Sequence, residues 1–130
     1  MKARILFVDD DPDILSFGAT ILKDAGHQVQ VASCGDIAAI LLEQGLGFEL
    51  LITDIVMPGR LDGFALADSA RALQPDIRII YSTGFAEVAR IRCRGAVYGE
   101  FLRKPWRSAN LLQSVAAALR HPVGDPVRSP

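Results

Sequence analysis

The 130-residue chain is 50% hydrophobic and sets 14 basic against 15 acidic residues, a formal charge of -1. That length suits one domain with a buried core, the charge balance gives no field for nucleic acid or an anionic membrane, and no apolar run approaches the ~20 residues of a membrane span. Cys34 and Cys93 show no metal-type spacing and no signal-peptide stretch precedes the first strand, so the expectation is a cytoplasmic protein with reduced thiols.

Short β-rich runs alternate with segments of helical period. Residues 4–8 form the first strand candidate. A helix then opens at Asp11 and Pro12, an N-cap acid and a proline at the first helical position. It sets Ile14, Gly18, Ile21 and Leu22 on one face and stops at Gly26. A strand over 27–32 leads into a helix over 36–44 with Ile37, Leu41 and Leu42 inward, broken at Gly45 and Gly47. A strand over 49–53 precedes a helix after Asp62 and Gly63 that turns Leu66, Ala70 and Leu73 inward and ends at Pro75. A strand over 77–82, a helix over 86–94 and a strand over 98–102 follow. A fifth helix after Pro105 places Leu111, Val115 and Leu119 at i, i+4 and i+8. The alternation predicts an α/β fold: a five-stranded parallel sheet with helices on both faces, flavodoxin-like and doubly wound (βα)5. Three prolines after residue 121 predict a flexible tail over 122–130, leaving 1–121 as the domain.

Asp9 and Asp10 follow the apolar run 5–8, and Asp54 follows 50–53. On neighbouring parallel strands these ends meet at the edge where open α/β sheets bind ligands, so the three acids converge. Clustered carboxylates hold their charge only beside a cation, which predicts a pocket for a hard divalent metal. Mg2+ suits such oxygen donors, and Mn2+ would serve. Asp54 is the candidate nucleophile, because a carboxylate beside a divalent cation can attack phosphorus. Asp9, Asp10 and the Val56 backbone carbonyl would supply the other protein ligands, with Asp11 left to cap the helix. Helix capping alone explains Asp11 but not a third acid after a different strand. At other strand ends stand Thr83, whose hydroxyl could bond a phosphoryl oxygen, and Lys104, whose ammonium could pair with it.

The motifs Val8-Asp9-Asp10-Asp11-Pro12, Thr53-Asp54-Ile55-Val56-Met57-Pro58-Gly59, Asp62-Gly63, Ser82-Thr83-Gly84 and Phe101-Leu102-Arg103-Lys104-Pro105 stand in one order. Over about residues 4–119 the chain resembles the response-regulator receiver domain of two-component signalling, of the single-domain type. The resemblance implies that Asp54 is the phosphoacceptor, taking its phosphoryl group in a Mg2+-dependent reaction. The donor would be a phosphohistidine on a sensor histidine kinase or a histidine phosphotransfer protein, docked on the first helix. Asp9 and Asp10 become the magnesium acids, Thr83 the switch hydroxyl, Lys104 the phosphate-binding lysine and Phe101 the switch aromatic. Lys104-Pro105 becomes a candidate cis peptide. The implied protein modifies itself and is not a turnover enzyme. Its output face would be the fourth helix, fifth strand and fifth helix, offered to a downstream protein by a monomer or a phosphorylation-dependent dimer. With no output domain in the chain, the signal is expected to leave by protein contact or onward phosphotransfer.

Several positions depart from the family pattern. Phe101 lacks the hydroxyl of the usual switch aromatic. Val56 and Phe85, two residues beyond Asp54 and Thr83, cannot orient an attacking water, which predicts slow loss of the phosphoryl group. Arg60-Leu61 and the stretch 97–100 lengthen two links. Arg90, Arg92, Arg94, Arg103 and Arg107 fall near the output face and read as a solvated surface. Trp106 most simply anchors the last helix, with its N–H reaching a carbonyl. A metal-dependent phosphohydrolase is the enzyme alternative, but Val56 stands where such enzymes place a second acid. An unphosphorylated pseudo-receiver is the binding alternative, which the intact acid, threonine and lysine set opposes. A flavodoxin-like cofactor binder ranks last, since acids after the first strand would repel its phosphate.

Overall fold

The apolar runs pair side by side in a computed structural model that describes residues 2–84 and 98–120. Strands β1 (Arg4–Val8), β2 (Gln28–Ala32), β3 (Leu50–Asp54), β4 (Arg78–Thr83) and β5 (Gly99–Arg103) form one parallel sheet in the order β2-β1-β3-β4-β5. Among the described residues four helices cover it: α1 (Pro12–Asp24), α2 (Gly35–Glu43), α3 (Gly63–Leu73) and α4 (Ser108–Arg120). Here α4 is the helix predicted after Pro105. The helix predicted over 86–94, with Arg90, Arg92 and Arg94, lies outside the described residues, as do Phe85, Cys93 and the tail 122–130.

Strand alternation divides the core between the two faces of the sheet. Leu6, Val8 and Leu51 turn toward one cluster with Ala38, Leu42, Leu66 and Ala70 of α2 and α3. Ile5, Phe7, Leu50 and Ile52 turn toward the other with Leu22, Leu111 and Val115 of α1 and α4. The expected doubly wound α/β arrangement is therefore present. Asp11 caps α1, its carboxylate accepting from the amides of Asp13 at 2.9 Å and Ile14 at 3.4 Å, with Pro12 in the first turn. Asp62 caps α3 by accepting from the Ala65 amide at 2.8 Å.

The helix faces differ from the sequence reading in an instructive way. Ile37 and Leu73, expected inward, are 44% and 54% exposed, and Ile14, Ile21 and Leu41 are only partly buried. Gly18, Leu22, Leu42, Leu66 and Ala70 are buried as expected, and small residues complete the stripes: Ala19 on α1, Gly35 and Ala38 on α2, Ala67 on α3. The cause is close approach. A Cβ at Gly35 would stand 2.6 Å from the Leu61 carbonyl oxygen, so the loop between β3 and α3 crosses α2 where only glycine fits. Leu73 falls at the last position of α3, past the edge of the core.

Candidate functional site

The strand order reverses direction between β1 and β3, and the crevice at the carboxyl ends of strands beside such a reversal is where ligands bind. Register brings the site residues there. Val8 pairs with Thr53, Asp54 with Ser82, and Thr83 with Arg103. Asp9 and Asp10 thus emerge beside Asp54, with Thr83 and Lys104 on the next two strand ends.

Asp9 is fully buried, Asp54 is 4% exposed and Asp10 is exposed. A ligand oxygen from each lies within 4.8 Å of the others. The Lys104 ammonium reaches between them, 2.8 Å from Asp9 Oδ2 and 3.2 Å from Asp54 Oδ2. The inner oxygens are tied to backbone: Asp9 Oδ1 accepts from the Asp11 amide at 2.9 Å and Asp54 Oδ1 from the Ile55 amide at 2.7 Å. Behind Asp54, the Gly63 amide donates to the Ile55 carbonyl at 2.7 Å. A Cβ on Gly63 would stand 2.2 Å from the Asp54 carbonyl oxygen, so glycine is required for α3 to start this close to the site.

The electrostatics follow from burial and crowding. Burial, with Asp9 nearby, pushes the Asp54 carboxyl up to about 6 against the pull of Lys104. Burial draws the Lys104 ammonium down, but Asp9 and Asp54 together hold it above its usual value. Two of the three carboxylates, Asp9 and Asp54, thus share the Lys104 ammonium, with Asp10 beside them. Asp9 Oδ2 is buried, and the ammonium of Lys104 is its charged neighbour. An all-oxygen donor set and an excess of negative charge fit a hard divalent cation.

The remaining expected residues lie around this centre. Thr83 is fully buried at the end of β4. Its hydroxyl donates to the Gly84 carbonyl at 3.2 Å, and its own carbonyl accepts the Lys104 amide at 2.7 Å. The Lys104–Pro105 peptide is cis. The Val56 side chain, two residues past Asp54, is 48% exposed. Phe101 stands apart from the acids, 38% exposed, with its ring stacked on Tyr81 at 5.2 Å. Arg103 and Arg107 are exposed. Trp106 differs from expectation in its partner: the indole N–H donates to the Ser82 hydroxyl at 3.1 Å, not to a carbonyl. The sequence gives no role to Tyr81 and shows Ser82 only within its motif, because two polar residues on an apolar strand give no periodic signal. Only the folded register sets one under Trp106 and the other under Phe101.

Fold and family together define a signalling module of two-component systems. The chain belongs to the response regulator receiver domain family, whose profile matches residues 5–116. It is 43% identical over 86 residues to the response regulator receiver protein CpdR of Brucella abortus, covering 66% of this chain and 70% of that protein. It is 32% identical over 121 residues to the sensor kinase CckA of the same organism, covering 91% of this chain but 13% of CckA. Among solved structures it resembles a response regulator receiver protein from Sinorhizobium medicae, with a TM-score of 0.83, 31% identity and coverage of 91% and 94% of the two chains. No helix among the described residues is long and apolar enough to cross a membrane.

Proposed function

We propose that this receiver domain, residues 1–121 with 122–130 as a tail, is a cytoplasmic phosphoacceptor switch that takes a phosphoryl group onto Asp54. The supporting observation is the Lys104 ammonium held between Asp9 and Asp54, with Asp10 beside them, at the sheet edge. In the proposed reaction an Asp54 oxygen attacks the phosphorus of a phosphohistidine, the P–N bond breaks, and the imidazole leaves with the bonding electron pair. Asp9, Asp10, Asp54 and the Val56 carbonyl would hold Mg2+. When bound, the ion neutralises the acids and the phosphoryl oxygens. Lys104 serves as the second countercharge, moving its ammonium from Asp54 Oδ2 toward a phosphoryl oxygen. The Thr83 hydroxyl, now turned to the Gly84 carbonyl, would turn to another phosphoryl oxygen and carry the change toward Phe101.

The donor is proposed to be a sensor histidine kinase or a histidine phosphotransfer protein. The recipient of the signal is a protein that reads the face of β5, α4 and the helix predicted over 86–94, with the switch working as a monomer or a phosphorylation-dependent dimer. The similarity to part of CckA supports a place beside such a kinase. The test is incubation with Mg2+ and a small phosphodonor. One added phosphoryl mass is expected, absent in Asp54→Asn and without Mg2+. No mass gain in the wild type, or an unchanged gain in Asp54→Asn, would refute the assignment.

A further inference from the structure

Lys104 matters only if its ammonium arrives between two acids, yet it lies on a short segment, residues 104–107, between the end of β5 and the start of α4. One anchor of that segment is its own backbone: the Lys104 amide donates to the Thr83 carbonyl at 2.7 Å. The second anchor is two residues on. The Trp106 indole N–H donates at 3.1 Å to the hydroxyl of Ser82, a fully buried residue whose register partners are Asp54 and Leu102.

The same indole also reaches α1 and β1. Its ring stacks on Phe17 of α1 with centroids 5.8 Å apart and planes 18° from parallel, and tilts against buried Phe7 of β1 at 6.4 Å. Phe17 can reach it because α1 lies tight on the sheet. A Cβ at Gly18 would stand 2.3 Å from Phe7 Cε2, so the residue next to Phe17 has to be glycine. Helix α1 opens directly behind Asp9 and Asp10, capped by Asp11. Trp106 therefore ties the Lys104 segment to two elements that lead from the site, β4 through Ser82 and α1 through Phe17.

We propose that Trp106 is a positioning residue: its bond to Ser82 and its stack on Phe17 hold the segment carrying Lys104 in register with Asp9 and Asp54. The inference rests on the phosphoacceptor reading above. A loosened segment would leave the ammonium free to follow solvent, and a small misplacement of a charge-stabilising group weakens transition-state stabilisation more than it weakens the fold.

The test measures the rate at which a small phosphodonor modifies Asp54 in Mg2+, with the unfolding temperature recorded for each protein. Trp106→Phe keeps a ring but removes the donor, and Ser82→Ala removes the acceptor while leaving the indole in place. Each should slow modification about five-fold, the scale of one lost hydrogen bond. The double variant should be little slower than either alone, since one bond is shared. In a Lys104→Ala background Trp106→Phe should change the rate less than about two-fold, because the residue it positions is gone. Single variants within about two-fold of the wild-type rate would overturn the inference. So would the full five-fold loss recurring on top of Lys104→Ala, which would mean that Trp106 acts through the fold alone. A wild-type protein that takes no phosphoryl group would instead remove the proposed function, and this inference with it.

Discussion

Asp54 carries its charge against the grain of its surroundings. Its carboxyl is raised from 3.8 to about 6 by burial and by Asp9, which outweigh Lys104. A carboxyl raised in the folded state favours folding below its unfolded value and loses that contribution as pH rises through the folded one. In metal-free protein the ionised Asp54 therefore opposes folding near neutral pH and is neutral in effect near pH 4. Asp54→Asn should accordingly stabilise the metal-free domain by about 1 to 3 kcal/mol near pH 7.5 and by far less near pH 4, read from urea unfolding at both values. A variant less stable than wild type at the higher pH would contradict this. Val56 supports a second residue-scale prediction. Its exposed side chain offers no donor or acceptor to align a water on a phosphorylated Asp54. Val56→Asn should shorten the lifetime of the phosphorylated form several-fold, alone or with Phe85→Glu, followed by loss of the phosphoryl mass. Equal decay rates would show that the side chain only packs.

The elements were legible in the sequence to different depths. β1 covers the expected residues 4–8 and β2 only starts one residue late, whereas β3, β4 and β5 each sit one residue further along than their runs suggest. The reason is visible at Asp54, Thr83 and Arg103, polar residues that look like loop yet still pair in the ladder with Ser82, Arg103 and Thr83. The convergence of Asp9, Asp10, Asp54 and Lys104 could be read because strand ends alone determine it. The buried helix stripes could be read in part, at Gly18, Leu22, Leu42, Leu66 and Ala70, but not at Gly35, where contact distance decides the face and a hydropathy pattern undervalues small residues. The partner of Trp106 was equally hidden, since it depends on cross-strand register. Asp11 shows how an element-scale role separates from a site role. It sits beside the acids, but its carboxylate is spent on the amides of Asp13 and Ile14. Asp11→Ala should cost about 1 kcal/mol of stability, as lost helix caps do, while Mg2+ affinity stays within about two-fold of wild type. A large loss of affinity in isothermal titration would make Asp11 a site residue.

At the scale of the whole molecule, the parallel sheet gathers charges that no single element could tolerate. Strands β1 and β3 set three acids within reach of one ion, while the end of β5 delivers Lys104, paired with Asp9 and Asp54. Metal-free protein is left with an excess of buried negative charge, so a divalent cation that binds only the folded chain stabilises it by mass action. At about one hundred times its dissociation constant the gain is about 3 kcal/mol, a rise of several degrees in unfolding temperature. Below about pH 6 the rise should shrink, because a proton on Asp54 competes with the ion. Asp10 provides the control. It is exposed, so Asp10→Asn should leave the metal-free unfolding temperature nearly unchanged, as surface substitutions usually do, yet remove most of the Mg2+ response. Thermal melts of both proteins, with and without Mg2+ at matched ionic strength, separate the possibilities. An equal rise in both would mean that the ion acts by general screening, and the three acids would then be a crowded sheet edge and not a metal site.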